Sequence, residues 1–151
     1  MFNIENPIKI IVVSPDILMV EYLQTILDAS KFIVSPAKPT PEGIAATRRV
    51  NPALYLIDDT GDAAAILSTC QIIRQYSCMP IMVLSSQRKT GLVEQILDAG
   101  ADEFLLKPVP GSVLIAHLNT LARRVLAERD AALSIVRGET ETNKYLGLLT
   151  Y

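Results

Sequence analysis

The stretch that most constrains the fold is Leu54–Asp59, in which four apolar residues lead straight into two adjacent carboxylates. An apolar run this short is typical of a strand buried on both faces, as in the middle of a parallel sheet. Asp58 would then lie where the strand leaves the core, at its carboxyl end. Because open α/β sheets bind ligands at that edge, the sequence predicts a functional or helix-capping carboxylate there.

Four further apolar runs alternate with segments of helical periodicity. These runs predict strands at Ile8–Val13, Phe32–Ser35, Met79–Leu84 and Glu103–Leu106. The periodic segments predict helices over about 17–29, 41–50, 63–73, 91–99 and 112–137. Asp16, Thr40 and Asp62 are in position to cap the first three of these helices. Such alternation predicts an α/β fold, with a five-stranded parallel, doubly wound sheet covered by helices on both faces.

Composition narrows the class of protein. The 151 residues fit one domain, and no apolar run approaches the ~20 residues that cross a membrane. The first residues lack the pattern of a signal peptide, and Cys70, Cys78 and His117 cannot build a zinc site alone. We therefore expect a cytoplasmic protein with reduced thiols. The net charge of −2 gives no general argument for nucleic-acid binding.

The last predicted helix is longer than the sheet requires. About 26 residues from Ser112 would span about 39 Å, so its end should project from the body. Its apolar residues follow alternating steps of three and four: Leu114, Leu118, Leu121, Val125, Ala132 and Ile135. This pattern favours a short coiled coil, although Glu128 interrupts it, and a solvated helix is the alternative. We expect a main domain over 1–124, an extension over 125–151 and a polar linker at 138–143.

The polar residues at the ends of the predicted strands converge on one edge of the sheet. They are Ser14, Asp58, Ser85 and Lys107. The surrounding motifs are Lys9–Val13, Asn51–Asp58, Pro80–Ser86 and Gly100–Pro108. With these motifs in this order, residues 7–124 resemble the receiver domain of two-component response regulators. Lys107–Pro108 after an apolar strand, preceded by Gly100, Ala101 and Asp102, is the most specific of them.

The resemblance implies a CheY-like, flavodoxin-like sheet with strand order 2-1-3-4-5 and a phosphorylation switch. Asp58 matches the phosphoacceptor, which takes its phosphoryl group from a histidine kinase. Lys107 matches the lysine that pairs with it, and Ser85 matches the hydroxyl that moves to the phosphoryl group. Phe104 matches the aromatic residue whose rotamer follows, although core packing is its first role. The family commonly has a cis bond before the proline at position 108.

The sequence departs from the family where Mg²⁺ would bind. The usual acidic pair after the first strand is replaced by Ser14 and Pro15, which leaves Asp58, a main-chain carbonyl near Thr60 and, weakly, Asp16 as ligands. The loop after Asp58 also lacks the usual proline. We therefore expect an atypical receiver in which Mg²⁺ binding and phosphorylation are weak or absent, and in which Asp58 and Lys107 form a direct ion pair.

The function expected from this resemblance is that of a signalling module rather than an enzyme. Its partners would be a histidine kinase or another signalling protein, and a second copy through the last helix or through the face of helix 4, strand 5 and helix 5. We do not expect direct contact with nucleic acid or membrane. Two alternatives stay open: a fully phosphorylatable receiver, and a flavin- or cobalamin-binding domain of the same fold. Asp59 is expected to cap a helix or face solvent, and His117 to be packed or half-exposed.

Overall fold

The computed structural model describes residues 7–30, 32–59 and 61–149, with side chains described as far as residue 136. The strands are β1 (Ile8–Val13), β2 (Phe32–Ala37), β3 (Leu54–Asp58), β4 (Ile81–Ser85) and β5 (Glu103–Leu106). The helices are α1 (Ile17–Asp28), α2 (Pro41–Ala46), α3 (Ala63–Tyr76), α4 (Leu92–Asp98) and α5 (Gly111–Leu149), and a 3₁₀ turn covers Thr47–Val50.

All four strand pairings are parallel, and the order in the sheet is β2-β1-β3-β4-β5. This confirms the predicted fold class and strand order. In the middle strands both faces are buried, which explains why β3 and β4 read as unbroken apolar runs.

Alternate residues of each strand feed two separate hydrophobic clusters. One cluster joins one face of the sheet to α1 and α5, with Leu56 and Leu118 fully buried in it. The other joins the opposite face to α2, α3 and α4, with Ile73 and Ile96 fully buried. The molecule therefore has the three layers that the alternation of strands and helices predicted.

Polar caps start three of the helices where the sequence placed them. Asp16 accepts hydrogen bonds from the amides of Leu18 and Met19, Thr40 from that of Gly43, and Asp62 from that of Ala65. These side chains satisfy amides that have no partner in the first helical turn.

Several predicted boundaries differ from the structure by two residues or more, and three of these differences have a clear physical reason. Strand β2 was expected to stop at Ser35, but it continues through Pro36 to Ala37. Because β2 is an edge strand, the missing amide of Pro36 removes no bond within the sheet interior. The second helix ends at Ala46, and its expected last turn is the 3₁₀ turn, which closes at Asn51 in the left-handed region (φ 53°).

The third of these differences concerns α5, which was expected to end near residue 137 and to be followed by a polar linker. The helix instead runs for 39 residues, to Leu149. The expected linker contains no proline, and Gly138 costs a helix only about 1 kcal/mol relative to alanine. No helix in the described part of the chain is both long enough and apolar enough to span a membrane.

Candidate functional site

The carboxyl edge of the sheet brings together the residues that the sequence singled out. Asp58 ends β3, Ser85 ends β4, and Lys107 directly follows β5. Ser14 directly follows β1, so all four arrive from neighbouring strands. The peptide bond between Lys107 and Pro108 is cis, as expected from the resemblance.

Asp58 is a buried carboxylate with two partners. Its side chain is only 1% exposed. The Ser14 hydroxyl donates a hydrogen bond to Oδ2 at 2.9 Å, and Lys107 Nζ contacts Oδ1 as an ion pair. The direct ion pair expected from the sequence is therefore present. An ammonium and a hydroxyl together neutralise and solvate the carboxylate in the absence of bulk water.

Asp59 has a different set of partners, because consecutive residues of a strand point to opposite faces of the sheet. It is 2% exposed, so the expected solvent role was wrong. Its Oδ2 accepts hydrogen bonds from Ser85 Oγ and Gln87 Nε2, both at 2.5 Å. Its Oδ1 accepts from the amides of Gly61 and Asp62 at 2.7 and 3.1 Å. Helix α3 is capped by Asp62, so the expected capping role was wrong as well.

Burial disfavours the charged form of Asp59, but its hydrogen bonds outweigh that effect. The donors are the Ser85 hydroxyl, the Gly61 amide, the Gln87 side chain and the Asp62 amide, and together they hold the pKa of Asp59 below its usual value. Asp59 is therefore an ionised, fully engaged carboxylate inside the protein.

Ser85 comes directly after Leu84, the residue that pairs with Asp58, but its hydroxyl donates to Asp59. The pairing register explains this: Asp58 is level with Leu84, so Asp59 is level with Ser85 on the same face of the sheet. Lys107 Nζ also donates a hydrogen bond to the Asp59 carbonyl at 2.9 Å. Sequence reasoning missed the roles of Asp59 and Gln87. The strand alternation that separates Asp58 from Asp59 was the one signal that could have identified Asp59.

Where the structure describes them, the other residues that the sequence singled out take no part in the hydrogen bonds and the ion pair of the Asp58 and Asp59 carboxylates. Phe104 is partly buried against the cluster on the α3 and α4 face. Asp16 caps α1 and is exposed, which is the role the sequence favoured over metal binding. Thr60, the expected source of a metal-binding carbonyl, lies outside the described residues. His117 is half-exposed on α5, where it contacts Glu103.

The donor set at this edge does not fit the Mg²⁺ ion that the receiver family uses. A cavity of about 40 Å³ beside Asp58 is lined by Pro15, Pro39, Asp59 and Asp62. Its carboxylates already have partners: Asp58 has Ser14 and Lys107, Asp59 has four donors, and Asp62 caps α3. Among the residues that the structure describes, no three His, Cys, Asp or Glu side chains form a group able to hold a metal ion.

Comparison with known proteins identifies the family. Residues 10–119 match the model of the response regulator receiver domain. The transcriptional regulatory protein CseB of Streptomyces avermitilis is 30% identical over 115 residues, which is 76% of this chain and 49% of that protein. The DNA-binding response regulator MtrA of Mycobacterium tuberculosis is 28% identical over 133 residues, 88% of this chain and 58% of that protein.

A solved structure of a CheY-like receiver domain protein from Methanospirillum hungatei has the same fold. Its TM-score is 0.66 at 18% identity, over 82% of this chain and 99% of that one. This chain spans about half the length of the two bacterial regulators. The expectation that nucleic acid is not a direct partner finds no support in these relatives, since MtrA is named as DNA-binding. On the family match, the chain belongs to the response regulator receiver domain family, the signalling module of two-component systems.

Proposed function

We propose that this receiver domain transmits its signal through protein–protein contact, with weak or absent Mg²⁺-dependent phosphorylation at Asp58. The observation that carries the proposal is the pair of contacts on Asp58. The Ser14 hydroxyl occupies one oxygen and Lys107 the other, while the positions that would supply the acidic pair are Ser14 and Pro15. Phosphoryl transfer depends on positioning and on charge neutralisation by the metal more than on acid–base chemistry.

A fully phosphorylatable receiver is the second candidate, because Asp58 and Lys107 have the positions that the family requires. In that case the metal would have to be held without the two carboxylates that normally bind it. Mg²⁺ is usually bound through one or two carboxylates and retains several waters. The loss of the two acidic side chains should therefore weaken Mg²⁺ binding strongly, but the carboxylate of Asp58 remains as a ligand. A flavin or cobalamin role receives no support from the family match.

Incubation with acetyl phosphate and Mg²⁺, followed by intact-mass measurement, distinguishes the two candidates. We expect little or no gain of a phosphoryl group by the wild type. The variant in which Ser14→Asp and Pro15→Asp are combined restores the acidic pair, and we expect it to gain one phosphoryl group that Asp58→Asn abolishes. A wild type that is labelled as fully as this variant, with the label lost in Asp58→Asn, would overturn the proposal.

The partner expected for this function is a histidine kinase or another signalling protein. Apolar side chains on α4, β5 and α5 support a contact surface there. Val93, Leu97, Leu106 and Val113 are each 38–42% exposed. Exposed apolar side chains on the far part of α5 support a second copy as a further partner, with Leu133 55% and Ile135 60% exposed. A cytoplasmic location remains a prediction, as does the division between a main domain ending at 124 and an extension beginning at 125.

A further inference from the structure

The network around Asp59 joins three segments at the carboxyl edge of the sheet. Its carboxylate accepts from Gly61 and Asp62 in the segment that leads to α3, and from Ser85 and Gln87 at the end of β4 and beyond it. Its carbonyl accepts from Lys107, which follows β5. Its amide donates to the Leu84 carbonyl at 2.8 Å. One buried residue thus makes hydrogen bonds to residues that follow β3, β4 and β5.

Ser85 and Gln87 are held by each other as well as by Asp59. The Gln87 amide donates to Ser85 Oγ at 3.0 Å, while that hydroxyl donates to Asp59 Oδ2. Ser85 is fully buried, whereas Gln87 is partly buried and its neighbours Arg88, Lys89 and Thr90 are exposed. The β4–α4 loop covers residues 86–91. Its start is therefore anchored at Gln87 to the buried Asp59 carboxylate, whereas residues 88–90 are exposed.

We propose that Asp59 is a positioning residue that fixes Ser85 and Gln87, and with them the start of the β4–α4 loop, in one arrangement that needs no phosphoryl group. The negative charge that orders this loop is the carboxylate of Asp59, the residue next to the candidate phosphoacceptor Asp58. The inference rests on the proposed function, because it concerns the surface through which a weakly phosphorylated receiver would contact partners.

The chemistry of the carboxylate makes Asp59 hard to replace. Both of its oxygens face two donors each, so an asparagine at 59 would direct its NH₂ group at donors on one side. A buried donor left without an acceptor is penalised by the full loss of its solvation. The hydrogen bond that Ser85 Oγ accepts from the Gln87 amide also holds the hydroxyl oxygen in this position.

Hydrogen exchange of the β4–α4 loop in the full chain tests the proposal, with strand β1 as the internal reference. We expect Asp59→Asn and Gln87→Ala each to raise about tenfold the exchange of the residue 87 amide, which donates to Ser85 Oγ; this is the equivalent of about 1.4 kcal/mol for one charge-assisted hydrogen bond. Exchange over Ile8–Val13 reports global unfolding, so it should stay unchanged in Gln87→Ala and should rise in Asp59→Asn only through the loss of global stability. The control Gln71→Ala removes an exposed glutamine from α3 and should match the wild type.

The double variant separates positioning from general stability. If Asp59 and Gln87 act through one contact, Asp59→Asn combined with Gln87→Ala should exchange no faster than Asp59→Asn alone. Loop exchange that is unchanged in both single variants, or effects that multiply in the double variant, would overturn the proposal. Because Asp59→Asn also lowers global stability and so raises exchange in β1, Gln87→Ala, in which β1 should not change, shows whether the effect on the loop is local. Phosphorylation of the wild type at Asp58 by acetyl phosphate would contradict the proposed function. It would not change the exchange result, which tests the positioning role of Asp59 by itself.

Discussion

At the scale of single residues, two adjacent aspartates show how strongly the strand alternation controls chemistry. Asp58 and Asp59 are both almost fully buried, yet among the described residues no side chain donates to both of their carboxylates. Asp58 is neutralised by a cation, whereas Asp59 is stabilised by four uncharged donors. A one-residue change of register would exchange these environments.

The low pKa of Asp59 gives its stabilising effect a pH window. A carboxyl whose folded pKa is depressed contributes stability above its unfolded pKa of about 4, and loses it as the pH falls through the folded pKa. We expect Asp59→Asn to lower the free energy of unfolding at pH 7 by about 2 kcal/mol, and the difference from wild type to shrink below about pH 4. Urea denaturation at several pH values measures this. The exposed Asp28 provides the control Asp28→Asn, and a difference that does not vary with pH would contradict the expectation.

The ion pair between Asp58 and Lys107 should be asymmetric. Asp58 is 1% exposed, whereas Lys107 is 23% exposed and can reach water. Lys107→Met leaves a buried carboxylate without its cation, so we expect a loss of about 2 kcal/mol in unfolding free energy. Asp58→Asn should cost less, and the double variant less than the sum of the two. Denaturation of these variants, with the exposed Lys89→Met as control, tests this; equal losses for both single variants would refute it.

At the scale of elements, Arg74 joins the end of α3 to the start of β4 and β5. Its guanidinium donates to the carbonyls of Ser77, Met79 and Gly100 and to the carboxylate of Asp102. A Cβ at Gly100, where φ is +118°, would lie 2.7 Å from Arg74 Cγ, so the close approach requires glycine. This edge of the sheet lies opposite the candidate site.

Arg74→Met should destabilise the fold by about 3 kcal/mol, because it leaves three carbonyls without their donor. Arg74→Lys should recover only part of that loss, since an ammonium lacks the planar fork that reaches several acceptors. Thermal or urea unfolding measures both variants. The exposed Arg49→Met is the matched control, and an Arg74→Met protein as stable as that control would show that the carbonyls find other donors.

The elements were predictable where local chemistry decides them. Apolar runs ending at polar residues located all five strands, and the caps Asp16, Thr40 and Asp62 located three helix starts. Strand β2 was cut short because proline was read as a stop, although an edge strand tolerates it. The end of α5 was misplaced because polar composition was read as a linker, although nothing in it forbids a helix.

The candidate site was predictable only as a set of residues. The family motifs placed Asp58, Ser85 and Lys107 at one edge, and the direct ion pair followed from the missing acidic pair. The partner of the Ser85 hydroxyl did not follow, because it depends on which strand positions lie level in the sheet. Gln87 was missed because an exposed polar loop offers many donors, and only the folded structure shows which of them reaches Asp59.

At the scale of the whole molecule, the first part of α5 is packed into the core and its later part is exposed to solvent. Leu114, Leu118 and Leu121 pack against the sheet, whereas Leu133 and Ile135 lie beyond the body and are exposed. Large apolar side chains on a projecting helix favour contact with a second copy.

We expect the wild type to form a dimer that light scattering coupled to size-exclusion chromatography detects as about twice the 16.5 kDa chain mass. Ile135→Lys places a charge in the predicted seam and should give a monomer. Ser134→Lys, on an outward position of the same turn, is the control and should leave the dimer intact. A monomeric wild type at all concentrations would favour the solvated helix instead.

The unbroken course of α5 has a geometric consequence for anything held at its far end. A continuous helix turns by 100° and advances by 1.5 Å with every residue, so its length sets an angular phase. One alanine inserted after Leu126 would rotate an attached partner by about 100° around the helix axis, whereas seven alanines would return it to within about 20° of its original orientation. If the partner's activity is lost after one inserted alanine and recovered after seven, α5 acts as a rigid helix. If insertion has no effect on that activity, α5 acts as a flexible connection.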